Sequence, residues 1–179
     1  INDLPPPTDR SDYDFATTVN GGSGWIVGGE FALQTQLSNH FGDEAWWSGF
    51  GFQGNVTITT SRAETPDGRN IRFPGASDLT LNVGPYYEAG GLSARLSYQY
   101  RTFFLSELGG PDTGGDLYWD NDAELDFSAR YALTKNFELY FDAANLLNGP
   151  GRRFAGVSER TLEFEKFGRR FTGGFRFTR

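Results

Sequence analysis

The chain has 179 residues and a formal net charge of −7, with 37% apolar residues, 16% aromatic ones, 24 Gly, and no Cys or Met. The lack of cysteine excludes a disulfide framework, a Cys-based zinc site and thiol catalysis, and the acidic balance opposes nucleic-acid binding, which wants a basic patch. No run approaches the ~18 apolar residues a membrane helix needs, so a membrane role would require strands closed into a barrel.

Glycine and aromatics in an otherwise polar chain suit strands joined by turns. The first element is VNGGSGWIVGGEFALQ, residues 19–34. Asn-Gly-Gly is a strong hairpin signal, yet the apolar residues keep odd parity on both sides of it: Tyr13, Phe15 and Val19, then Trp25, Val27, Phe31 and Leu33. A two-residue turn at Asn20 would put Glu30 on the apolar face. Parity therefore favours one strand over residues 12–38, with the glycines as a bulge or thin spot. A three-residue loop would preserve parity too.

Further strands are predicted over residues 45–61, 78–88, 92–105, 120–133, 136–146 and 162–178. Phe50, Phe52, Val56 and Ile58 oppose Gln53, Asn55, Thr57 and Thr59 in the first of these, and Leu79, Leu81 and Val83 oppose Thr80 and Asn82 in the next. In LSARLSYQYRTF (92–103), Leu92, Ala94, Leu96, Tyr98 and Tyr100 share one face, with Ser93, Arg95, Ser97, Gln99 and Arg101 on the other. AELDFSARYAL (123–133) repeats the pattern, as do Phe137, Leu139 and Phe141, and finally Phe171, Phe175 and Phe177. A period of two fits strands and no helix.

The connections alternate in length. SNHFGDE (38–44), EAGGL (88–92) and LTKN (133–136) are short, whereas 61–77, 105–121 and 147–161 are long polar loops. Short turns on one edge and long loops on the other form the pattern of an outer-membrane barrel. The polar faces carry Arg95, Glu124, Asp126, Arg130, Glu138 and Asp142 in mid-strand, as a wet lumen would. The arginines Arg95, Arg101 and Arg130 are expected to pair with Glu124, Asp126 and Asp142 across strands. Aromatics gather at the ends of apolar faces (Tyr98, Tyr100 and Phe103; Trp46, Trp47 and Phe137), as interface girdles do. A soluble β-sandwich also alternates, and stays open at this point.

The ordered series resembles the C-terminal part of the β-barrel of TonB-dependent outer-membrane receptors. LDFSARYALTKNFELYFDAANLLNGPGRRF and FEKFGRRFTGGFRF are similar to the family's ending, and VNGGSGWIVGGEFALQ, GFQGNVTITTS and YYEAGGLSARLSYQYR match further stretches in order. The resemblance covers the chain from about residue 13. It implies an all-β fold of antiparallel transmembrane strands, about seven here from a barrel of about 22, and it makes residues 1–179 one segment without the plug domain. It reads residues 12–38 as one descending strand, which selects the straight run at Asn20. Bacterial single-chain barrels have even strand numbers, so seven is expected to be a piece of a larger receptor whose first and last strands do not pair. The implied function is import of a scarce nutrient, oligosaccharide or iron–siderophore, across the bacterial outer membrane. The implied partners are outer-membrane lipid and lipopolysaccharide, the TonB complex acting through the plug, the remaining strands of the receptor and a small-molecule substrate. Neither a cofactor nor nucleic acid is expected. The alternatives are a soluble all-β glycan-binding module and a small complete outer-membrane barrel.

Candidate sites are few. The single histidine, His40, reads as a solvated turn residue and leaves no Ser-His-Asp scheme, so no enzyme is expected. The loop GGPDTGGDLYWDNDAE (109–124) places Asp116, Asp120, Tyr118 and Trp119 together as substrate contacts. Asp112, Asp116, Asp120 and Asp122 form a weak calcium candidate, though not at EF-hand spacing. Arg152 and Arg153, with Arg160, suit an anionic ligand or lipopolysaccharide phosphate, or neutralisation by a nearby Asp. Phe171, Phe175 and Phe177 keep the phase of the membrane-assembly signal, although Arg179 stands where the family usually ends in an aromatic.

Overall fold

The computed structural model describes residues 20, 22–42, 46–110 and 114–179. In chain order its strands are β1 (Gly24–Gln36), β2 (Phe50–Glu64), β3 (Asn70–Ile71), β4 (Leu79–Ala89), β5 (Leu92–Arg101) and β6 (Phe104–Glu107). They continue as β7 (Leu117–Trp119), β8 (Asp122–Thr134), β9 (Phe137–Ala144), β10 (Gly151–Ala155), β11 (Thr161–Glu165) and β12 (Arg170–Phe177). No helix among the described residues is long and apolar enough to cross a membrane.

The long strands build one antiparallel sheet in the order β1-β2-β4-β5-β8-β9-β12, with β3 paired to the end of β2. Each neighbours the next long strand in sequence, so the wall is an up-and-down meander. Gly90 and Gly91 both take positive φ, 59° and 81°, between the paired residues Ala89 and Leu92. Only a residue free of Cβ strain makes that two-residue turn readily, which is why EAGGL reverses the chain at once. Lys135 and Asn136 serve β8 and β9 on the same edge, while the helical turns Ser38–Phe41 and Trp46–Gly49 occupy the connection between β1 and β2.

Register carries the alternation across the whole sheet. One row joins Phe31, Val56, Leu81, Tyr100 and Ala123; another joins Leu96, Phe127, Ala143 and Phe171. Leu81, Leu96, Phe127, Phe141 and Phe175 thus share one face, and Arg95, Glu124 and Asp142 share the other. The apolar face has nothing packed on it: Phe31 is 65% exposed, Ile58 63% and Phe175 68%. An unbroken apolar surface across seven strands far exceeds what a monomeric soluble protein exposes. At the short-turn edge Trp46, Phe50 and Tyr87 pack edge-on, with ring centroids 5.9 and 4.8 Å apart.

Several boundaries differ from expectation. Of the predicted first strand, residues 12–19 and Gly21 lie outside the described residues. The described part runs straight, because Gly22 N donates to Glu64 O and Glu64 N donates to Ser23 O, both at 3.0 Å, in the register of β1. Strand β5 stops at Arg101 rather than 105. Residues 162–178 are two strands, not one, since the backbone breaks at residues 166–169, where Gly168 has φ 78°. The predicted charge pairing holds only for Arg130, whose guanidinium donates to both Asp142 oxygens at 2.9 and 3.0 Å. Arg95 lies over the Tyr86 ring, Arg101 turns away to Ser77, and Asp126 accepts from Asn145 N. At the ends of the sheet, β1 pairs with β2 and β12 with β9, and no ladder joins β1 to β12 among the described residues.

Candidate functional site

The long loops, expected to be irregular, fold into a second sheet in the order β11-β10-β7-β6. Its strands are short because each belongs to a loop: β6 and β7 to the β5–β8 connection, β10 and β11 to the β9–β12 connection. Tyr118 opposes Leu105 and Phe154, and stacks on the Phe154 ring with centroids 5.3 Å apart. Leu105, Phe154 and Ala155 are buried here, and Ala143 is the other buried apolar residue among those described. The apolar core of the chain therefore sits at its loop end. Burial raises the Tyr118 pKa above its usual value, and the Asp116 charge adds to that.

Three loops converge on Asp116. Its carboxylate accepts both bonds from Arg69 Nη1, at 3.1 and 3.2 Å, and one from Gly109 N at 3.0 Å, while its carbonyl accepts from Gly156 N at 2.9 Å. The hydrogen bond to Asp116 is the main cause of a raised Arg69 pKa. Gly75 N donates to Leu105 O, so the β2–β4 loop also lies along β6. In the same loop the Thr65 hydroxyl donates to Asp67 and holds its carboxyl below the usual value.

Trp119 points the opposite way from Tyr118, so these neighbours do not form one aromatic platform. Trp119 opposes Phe104 and Arg153, the Arg153 guanidinium lies over its ring 5.3 Å from the centroid, and Trp119 also borders the loop ends of β5 and β8. Between them lies a cavity of about 390 Å³ walled by Phe104, Trp119, Asp120, Asp122, Glu124 and Arg152, among others. That volume falls in the range of small-molecule sites. Arg101 forms one side; its guanidinium lies 3.7 Å from the Phe104 centroid and donates to Ser77 Oγ at 2.6 Å.

Of the remaining candidates, Asp120, Asp122 and Arg152 line this cavity. Arg152 pairs with Asp120 at 2.5 Å, and Arg153 reaches Glu107 at 3.2 Å and Glu163 at 3.4 Å. Arg160 donates to Gly114 O. Arg152 and Arg153 are thus in the carboxylate-neutralised arrangement rather than a free anion cradle. Asp112 lies outside the described residues, Asp116 and Asp120 are each held by a guanidinium, and no group of metal-ligating side chains occurs among the described residues. His40 meets Thr35 Oγ1 at 2.9 Å in its turn. Phe171, Phe175 and Phe177 oppose Ala143, Leu139 and Phe137 on the apolar face. Sequence reasoning passed over Phe104, Glu124 and Arg101 as cavity residues, although the odd–even positions of Arg101 and Glu124 at the ends of β5 and β8 carried the signal.

A polar inner face, an apolar outer face and a folded rim on one edge define a piece of barrel wall. The chain matches the family model described as TonB dependent receptor-like, beta-barrel, over residues 1–146, and it belongs to that family. No curated protein and no solved structure matches it.

Proposed function

We propose that the chain forms part of the wall of an outer-membrane active transporter, which imports an oligosaccharide or an iron–siderophore with energy delivered by the TonB complex. One observation carries this reading: the register separates a continuous apolar face from a hydrogen-bonded polar one across seven strands, with every long loop at the same edge. The apolar face meets lipid, the polar face lines a lumen, and the folded loops stand at the cell surface beside lipopolysaccharide. The edges of β1 and β12 pair with further strands of the same receptor, because unpaired backbone in lipid costs several kcal/mol per group. TonB acts through a plug outside this chain. Phe171, Phe175 and Phe177 act as the assembly signal, and Trp119, Asp120 and Arg152 border the substrate path.

The experiment is expression of the full-length gene product in a Gram-negative host. The expected result is a heat-modifiable band in the outer-membrane fraction and nutrient uptake abolished by deletion of tonB. A product found in the soluble fraction, or uptake unaffected by the deletion, overturns the reading.

A further inference from the structure

The cavity beneath the rim sheet carries a statement about ligand chemistry, which rests on the transporter reading above. The guanidinium groups on its wall are engaged, Arg152 by Asp120 and Arg101 by Ser77, Gly75 O and the Phe104 ring, and so is the neighbouring Arg153, by Glu107, Glu163 and the Trp119 ring. An anionic chelate entering here finds little free cationic charge. The charges of Asp126 and Asp122 act on Glu124 more strongly than that of Arg170, on β12, so the local balance is acidic and opposes an anion further.

What is unengaged is the set of acceptors. Asp122 and Glu124 line the cavity and make no side-chain hydrogen bond or ion pair among the described residues. From Glu124 a row of amides continues around the wall, Gln99, Asn82 and Asn55 being successive cross-strand partners. Asn82 Nδ2 donates to Asn55 Oδ1 at 3.0 Å, and Asn55 Nδ2 to Glu30 Oε1 at 3.2 Å, so the row is pre-ordered. One strand position further, Gln34 and Gln53 oppose each other and border a second cavity of about 440 Å³.

Carboxylates take hydroxyl protons in short, strong bonds, and amides donate and accept side by side, as hydroxyl groups do. An indole face packs against the C–H surface of a sugar ring. We infer that the cavity and the amide row bind a neutral, polyhydroxylated ligand, an oligosaccharide, with the Trp119 face turned from Arg153 as the stacking platform and Asp122 and Glu124 as hydroxyl acceptors.

The test uses the full-length receptor in detergent. It is applied to an array of neutral oligosaccharides, and separately to ferrichrome, ferric enterobactin and spermidine. At least one neutral oligosaccharide is expected to bind and to change tryptophan fluorescence. Trp119→Leu should weaken it about tenfold and Trp119→Phe much less, and Asp122→Asn with Glu124→Gln should also weaken it about tenfold. Heat-modifiable gel mobility confirms that each variant is folded. A blank array, whichever other probe binds, overturns the inference, as does full affinity in Trp119→Leu. TonB-dependent uptake of a ferric chelate with a blank array would leave the transporter reading standing and remove the sugar.

Discussion

Leu96 and Ser97 are adjacent in the middle of β5 and face opposite ways, so one charge placed at each separates lipid from lumen. Leu96 opposes Phe127 on the apolar face; Ser97 opposes Asp126 on the polar one. An arginine on the lipid side near the bilayer midplane costs about 2–4 kcal/mol. At position 97 the same side chain meets the Asp126 carboxylate, one of whose oxygens accepts from Asn145 N at 2.8 Å. A cross-strand opposite-charge pair contributes roughly 0.2–1 kcal/mol, so Ser97→Arg should be neutral or slightly favourable. With a urea slope of about 2 kcal/mol/M, the midpoints of the two variants should differ by about 1–2.5 M. Tryptophan fluorescence of the full-length receptor in thin-bilayer vesicles reads that difference directly. Coincident midpoints, or a lower midpoint for Ser97→Arg, would refute the assignment of faces.

Gly28 and Gly29 make a second adjacent pair. A Cβ at Gly28 would stand 2.6 Å from Ile58 O, a backbone atom that cannot swing aside, whereas at Gly29 nothing lies within 4 Å. Gly28→Ala should therefore destabilise by about 1–3 kcal/mol and Gly29→Ala should be neutral or mildly stabilising, as read by the same unfolding curves; equal effects would contradict the close approach of β1 to β2. Asp116→Ala removes the acceptor for Arg69 and Gly109, and should free the β2–β4 loop, raising the rate of limited trypsin cleavage after Arg69; an unchanged digestion pattern would mean the loops are not held by this carboxylate. Asp67 is held below the ordinary 3.8 by the Thr65 hydroxyl foremost, so its ordering effect is present above that pH and is lost as pH falls through its own lower value. A titration of Asp67 by NMR with a midpoint above 3.8 would remove the Thr65–Asp67 turn from the account.

The wall was legible because a period of two, once started, fixes which residues share a face, and parity alone carries that information from β1 to β12. The turns were legible because Gly90-Gly91 is a chemical requirement as much as a composition. The rim was not legible. FLSE, LYW, GRRFA and TLEFE alternate over only 3 to 5 residues each, too few for a period to declare itself. Their partners lie in another loop, as Phe154 finds Tyr118. For the same reason the sequence reads Thr161–Glu165 and Arg170–Phe177 as one strand: both alternate, and the four residues between them carry a single turn-former, Gly168. Among the candidate residues, Trp119 and Asp120 stand out by type and place in the loop and line the rim cavity, but the engagement of Arg152 and Arg153 by carboxylates depends on a sheet that residue spacing does not announce.

That sheet also bears on the order in which the molecule is made. Strands β6 and β7 come from one loop and β10 and β11 from another, and each pair can close locally as a hairpin. The seam between β7 and β10 joins residues more than 30 positions apart, as Trp119 with Arg153 shows, and a contact so distant in sequence waits until loop closure elsewhere has brought its ends near. The closing event is the meander itself, since β8 and β9 lie between the two hairpins. On the transporter reading, the loops then cross the bilayer as separate, unjoined hairpins and zip together only on the far side. On this sequence of events, Leu105, Phe154 and Ala155 are the last apolar side chains to leave water, and their burial acts as a ratchet against the loops slipping back.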